Sequence, residues 1–414
     1  MPSLQGRTGV IVLGSDFKAL GVVRSLGRRR IPCIVIDNIP RSAWFSRYVS
    51  GHFKWDRSMD DPSFLPFLLK LGKAHRLQRW VLFPMQDEAV SFVACHTQQL
   101  ADFYRLVTQD WEIVRWANDK RHTYQMAQEA KVAYPRTWYP FSEEDLPETE
   151  VTFPVIIKPA ISTRLQYALR LKALTARDHE ELRMQYRLAA SVMPPEEIMV
   201  QEVIPGDGRT QFSVATFCKD GHILAGMTAR RTRQYPIDYG LGSSFVEAIE
   251  VPALFEPAEK LLLRMRVSGM VEVEFKHDLR DGLYKLLDIN VRPWGWHTLC
   301  IACGLDFPYI QYCDAQGIIP DAGTTMNAPH YDHYWVRMLT DLPAGLQEIR
   351  AGISTPTAYL RSLFGRATFS VFNWRDPLPA VGDLAIALSR SLKGFSRKEA
   401  EADEPIPQSH AGQA

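Results

Sequence analysis

Two Asp-Gly pairs constrain what this chain can fold into. In CKDGHI and LRDGLY, Asp220-Gly221 and Asp281-Gly282 each separate two β-rich runs, and an Asp-Gly pair so placed turns a strand back on its neighbour. Antiparallel hairpins are expected at both. The return run of the second, LYKLLDINVRPWGWH, alternates Asp288, Asn290 and Arg292 with Leu287, Ile289 and Val291. A strand turns successive side chains to opposite faces, so the three polar groups share one side. The outgoing run VEVEF lays Glu272 and Glu274 across from them. Carboxylates that close repel unless a cation lies between them, and hard divalent cations take carboxylate and amide oxygens. With Trp294 and Trp296 following, this face is expected to line a cleft.

The opening run TGVIVLGSDFKALGVVRSLGRRRIPCIVID reads as strand 9–13, helix 18–28 and strand 33–37, a βαβ unit. Its turn keeps Gly14 but lacks the second glycine of G-x-G-x-x-G, which weighs against a dinucleotide site and an oxidoreductase. WVLFPMQDEAV sets Asp87 and Glu88 at the carboxyl end of another strand, where open α/β sheets take ligands. Asn118 is placed to cap a helix reaching about residue 130, and VTFPVIIKPA is a β run ending at Lys158. EEIMVQEVIPGDG gives a further strand over 198–204.

The 414 residues exceed one core. Lys and Arg number 48 against 47 acids, a balance with no global pull toward nucleic acid or anionic membrane. No nucleic-acid partner and no integral membrane segment are expected, and no signal peptide opens the chain, so a cytoplasmic protein is expected. Six cysteines are too scattered for a disulfide framework. His297, Cys300, Cys303 and Cys313 stand among apolar residues, which favours core packing over zinc. Between 361 and 398 seven basic residues face two acids around LPAVGDLAIALSRSL; a docked element with a solvated basic face is preferred to an amphipathic surface helix. The tail from 398 to 414 is expected to be disordered.

In their order along the chain these motifs resemble the ATP-grasp superfamily over about residues 9–320. The resemblance implies a mixed α/β and α+β fold: a Rossmann-like domain over 1–115, an ATP-grasp domain over 116–320 and a C-terminal extension over 321–397. Within the ATP-grasp domain the lid falls at about 140–197 and the metal-binding sheet at about 198–320. Lys120 in NDK and Lys158 in VIIKP match the two ATP-binding lysines. VQEVIPG looks like the hinge strand at the adenine, with Gln201, Glu202 and Ile204 in contact, and Asp207 and Gln211 fall near the ribose. Glu274 takes the first metal-ligand position and Asp288 with Asn290 the second, where Glu is commoner. Arg292 matches the arginine that holds the transferring phosphate.

DINVRPWGW and ARRTRQYPIDYGLGS look most like the carboxylate–amine ligase branch that includes D-aspartate ligase and relatives of the carbamoyl-phosphate synthase large subunit. The implied reaction uses ATP with Mg²⁺, or Mn²⁺ in its place. A small-molecule carboxylate becomes an acyl phosphate and an amine then displaces phosphate, leaving an amide, ADP and phosphate. Arg230 and Arg231 are expected to assist Arg292. An ATP-binding protein without ligase chemistry and an ATP-dependent carboxylase are the alternatives, and a homodimer is compatible with the sequence. The lid loop PAISTRLQYALRLK departs from the family in carrying Ser162 and Thr163 but no glycine, with Lys172 at its far end as a substitute cation.

Overall fold

A computed structural model describes residues 8–149, 151–161, 164–169, 171–237, 242–320 and 329–389. Ser162, Thr163 and the 398–414 tail lie outside the described residues, as do positions 238–241 of ARRTRQYPIDYGLGS.

The βαβ opening builds a parallel sheet. Strands β1 (Val10–Leu13), β2 (Cys33–Asp37), β3 (Val49–Lys54), β4 (Val81–Pro84) and β5 (Arg105–Leu106) stand in the order β3-β2-β1-β4-β5. Every residue of β1, β2 and β4 is buried, as continuous apolar runs covered on both faces must be. The helix Phe17–Arg28 begins at Asp16, whose side chain accepts from the Lys18 and Ala19 amides. Its start therefore sits at the carboxyl edge of the sheet.

A second, antiparallel sheet holds β6 (Thr137–Trp138), β7 (Val155–Pro159), β8 (Leu174–Ala176) and β9 (Ile198–Glu202) in the order β6-β9-β7-β8. The metal-binding sheet expected from 198 starts later than that: β9 pairs with β7 from Val155↔Glu202 to Pro159↔Ile198. The amphipathic helix His179–Ala190 buries Leu182, Tyr186 and Ala189 on this sheet.

The third sheet joins seven strands: β10 (Gln211–Lys219), β11 (His222–Tyr235), β12 (Gly242–Ala248), β13 (Gly269–Asp278), β14 (Leu283–Asn290), β15 (His333–Val336) and β16 (Arg366–Phe369). Their order is β14-β13-β10-β11-β12-β15-β16. Both Asp-Gly hairpins form. Asp220 and Gly221 have φ of 49° and 87°, and a Cβ on Gly221 would stand 2.4 Å from Leu263 Cα, so only glycine fits there. One face of the sheet packs on the helix Phe255–Met265 through Leu261, Leu262 and Met265. The other carries Trp294, Trp296, Leu299, Cys300, Cys303 and Phe307. The cysteines of that segment thus pack as small hydrophobes.

The C-terminal extension is continuous with this sheet: β15 pairs with β12 and β16 with β15. Arg233 on β11 meets Asp341 of the helix Met338–Arg350 through two 2.9 Å hydrogen bonds, both side chains buried. Further on, Arg24 of the leading domain donates to Asp376 at 2.9 Å. A last helix over 378–389 docks on the leading domain, where Ser42 donates to Asp383 at 2.7 Å. Among the described residues no helix is long and apolar enough to cross a membrane.

Candidate functional site

The β13–β14 register sets the polar face. Glu272 stands opposite Asn290 and Glu274 opposite Asp288, and Asn290 Nδ2 donates to both glutamates at 3.1 Å. The alternation expected through Leu287 does not hold. A bulge shifts the register between Glu274 and Phe275, so Leu286 enters the core while Leu287 lines the cleft. An extra residue in one strand moves every later side chain to the other face.

Lys120 reaches this cluster from the start of the helix Lys120–Glu129. Its ammonium donates to both oxygens of Asp288 at 2.9 Å. Burial opposes its charge, but the Asp288 pair prevails and its pKa rises. Glu274 accepts from Gln211 Nε2 at 2.7 Å and from Arg231 at 3.2 Å, which places Gln211 beside the polar face of β13 and β14. Glu272, left out of the expected ligand set, is buried and accepts from Trp296 Nε1 at 2.8 Å. Burial, then the charge of Glu274, pushes its carboxyl up to about 8. Its position opposite Asn290 was the signal available in the sequence.

Lys158, at the end of β7, lines the same cleft, and burial followed by the nearby Lys120 charge brings its pKa down to about 7. Lys172 also lines the cleft, its pKa lowered to about 8 by desolvation among the cleft walls and then by Arg231. Ammonium groups so depressed gain charge when an anion arrives.

The connection from β9 forms the far wall. Gln201 is buried and donates to Thr137 Oγ1 at 2.8 Å, and Ile204 is buried at the cleft. The carboxylate of Glu202 is committed elsewhere: it accepts from the Arg136 amide at 2.9 Å, from Arg280 at 3.2 Å and from Lys285 at 3.4 Å. Asp207 lines the cleft and holds Arg209 at 2.6 Å.

Arg292 extends to the leading domain, where Asp87 grips it at 2.6 and 3.0 Å. Partial desolvation works against the Asp87 charge, yet Arg292 brings its pKa down to about 2. Strand alternation separates the other two arginines. Arg231 pairs across the sheet with Gln211 and lines the cleft. Arg230 pairs across from Phe212 and bonds Glu247 at 2.8 Å, outside the cleft lining. The expectation of a catalytic Arg230 is corrected accordingly.

Arg230 apart, the predicted site residues line one cleft of about 1060 Å³ between the second and third sheets, bordered by Asp16, Lys18, Asp87 and Glu88 of the leading domain. Among the described residues no three His, Cys, Asp or Glu side chains are grouped to hold a metal. The donor set is instead two carboxylates and an amide, Glu274, Asp288 and Asn290. It suits a hard cation in kind.

Residues 194–340 match the family model described as ATP-grasp in the biosynthetic pathway with Ter operon. The chain is 24% identical over 301 residues to the D-aspartate ligase of Enterococcus faecium, covering 68% of this chain and 70% of that protein. In structure it is similar to the biotin carboxylase of Campylobacter jejuni, with TM-score 0.63 and 14% identity over 78% of this chain and 74% of that one. The L-amino acid ligase of Bacillus licheniformis follows at TM-score 0.57 and 13% identity, covering 75% of this chain and 74% of that one.

Proposed function

We propose that the chain is an ATP-grasp carboxylate–amine ligase that forms an amide through an acyl phosphate and releases ADP and phosphate. The observation that carries this reading is the juxtaposition in one cleft of Lys120, Lys158 and the opposed pairs Glu272↔Asn290 and Glu274↔Asp288. The sequence similarity to a D-aspartate ligase supports the reaction class.

Phosphoryl transfer needs positioning and charge neutralisation more than a protein nucleophile. The adenine would lie against Gln201 and Ile204, with the ribose toward Asp207. Because the Glu202 side chain is held by Arg280 and Lys285, its share of nucleotide contact falls to its backbone. Lys120 and Lys158 supply compact positive charge to the phosphates. Glu274, Asp288 and Asn290 would hold Mg²⁺, whose charge offsets that on the transferring phosphate. Arg292 and Arg231 would steady the anionic acyl phosphate while the amine attacks its carbonyl carbon and phosphate departs. Asp87, by gripping Arg292 bidentately, fixes the guanidinium at the junction with the leading domain.

The test is phosphate release from Mg·ATP against a panel of carboxylates, alone and paired with amines, with ADP and AMP resolved. ADP formed only with a particular pair supports the ligase. AMP formation refutes it, bicarbonate dependence points to a carboxylase, and tight nucleotide binding without turnover on any pair would favour an ATP-binding protein without ligase chemistry.

A further inference from the structure

More than half of the large apolar side chains that the described residues leave exposed lie between 338 and 389, so this extension departs from the rest of the surface. Its last helix is turned inside out. Leu378, Val381, Leu384, Ala385 and Leu388 recur at the three- and four-residue spacing of a single helical stripe. Such a stripe ordinarily meets the core, yet here each of its four large side chains is more than half exposed. The opposite side is the docked one: Gly382 fits so closely against Phe45 of the leading domain that a Cβ would come within 2.3 Å of the ring.

The aromatic residues before the helix extend the same character. Phe369, Phe372 and Trp374 form a chain of rings with centroids 6.2 and 4.7 Å apart. Trp374 is 87% exposed, and Phe364 is 81% exposed.

Charge separates in the matching sense. The four acids of 338–389 turn inward: Asp341 binds Arg233, Asp376 binds Arg24, Glu348 is buried beside Arg209, and Asp383 accepts from Ser42. Arg350, Arg361, Arg366 and Arg375 are all exposed, Arg366 in an ion pair with Asp332. In the sequence that follows, Arg390, Lys393, Arg397 and Lys398 precede the next acid, Glu399. The extension therefore exposes apolar and aromatic side chains and its arginines, with its acids withdrawn.

We propose that this face of the C-terminal extension docks on the surface of an anionic phospholipid membrane. Apolar stripe, interfacial tryptophan and flanking arginines are the elements that hold a peripheral helix at the headgroup boundary. Anionic headgroups complement the arginines. A symmetric second copy would instead bring the same cationic patch against itself. Docking of this kind keeps the helix in the interface plane and needs no spanning segment.

The experiment is co-sedimentation of the full chain with vesicles of pure phosphatidylcholine and of phosphatidylcholine mixed with phosphatidylglycerol, alongside its mass in solution. Binding to the mixed vesicles, at least tenfold weaker on the neutral ones and weakened by high salt, is expected. Leu384→Asp with Leu388→Asp should cost at least a further tenfold without lowering the melting temperature, since both side chains face solvent. Arg361→Glu with Arg375→Glu should do the same while leaving the apolar stripe intact. Absence of binding to mixed vesicles, equal binding to neutral ones, or binding unmoved by either double variant overturns the proposal. A dimer that Leu384→Asp with Leu388→Asp converts to monomer would also overturn it, by giving the face to a second copy.

Discussion

Replacing Lys158 with arginine should flatten the pH dependence of nucleotide binding. Burial, helped by the neighbouring Lys120 charge, brings the Lys158 pKa to about 7 in the ligand-free protein, so above that pH the side chain is largely neutral. A phosphate beside it favours the ammonium form, and the proton must then be taken up on binding. If only the charged form binds, apparent affinity scales with the charged fraction, which falls about 25-fold between about pH 7.5 and about pH 9. ATP itself is fully ionised over that window, so the slope belongs to the protein. Arginine stays charged throughout. Titration calorimetry of Mg·ATP in buffers of different ionisation enthalpy reads the effect: at the upper pH the wild type absorbs close to one proton more per nucleotide than Lys158→Arg. Lys172, lowered to about 8, adds to both proteins equally, so their difference isolates Lys158. A flat wild-type profile, or the same slope in both, would refute the placement of Lys158 at the phosphates.

Other residues give independent tests. Asp288→Asn removes one oxygen of the proposed metal-binding set and the partner of Lys120, and should lower substrate-dependent phosphate release by at least about 100-fold while circular dichroism stays unchanged. Asp341→Ala leaves the buried Arg233 guanidinium without its counter-ion; a loss of about 3–5 kcal/mol in urea unfolding is expected, with most of it recovered in Arg233→Met/Asp341→Leu. Gly21→Ala should cost about 1–3 kcal/mol in the same assay, because its Cβ would meet His297 Nε2 at 2.4 Å where the leading domain packs on the helix His297–Ala302.

The parts of the site written in local pattern were legible. Period-two alternation placed Asp288 and Asn290 on one face, and the Asp-Gly turn brought Glu272 and Glu274 opposite them. The same rule separates Arg230 from Arg231, yet proximity in sequence favoured treating them together. What local pattern does not encode was missed. The bulge at Leu287 depends on how β13 and β14 pack, and the Asp87–Arg292 pair spans 205 positions. Glu202 looked like a free polar group because Arg280 and Lys285 arrive from a distant hairpin. The extension read as a separate element because β15 and β16 have four residues each, and strands that short carry little period-two signal until a sheet edge receives them. Its outward face also reversed expectation: the docked element is present, but apolar side chains accompany the arginines at the surface.

The most direct measurement of the reaction follows oxygen. Once the substrate panel yields an active pair, the carboxylate is supplied with both oxygens replaced by oxygen-18 and the released phosphate is weighed by mass spectrometry. Attack of that carboxylate on the γ-phosphorus, followed by amine displacement, leaves one heavy oxygen in each phosphate, and that is the expected result. Unlabelled phosphate released in step with amide formation would contradict the acyl-phosphate route.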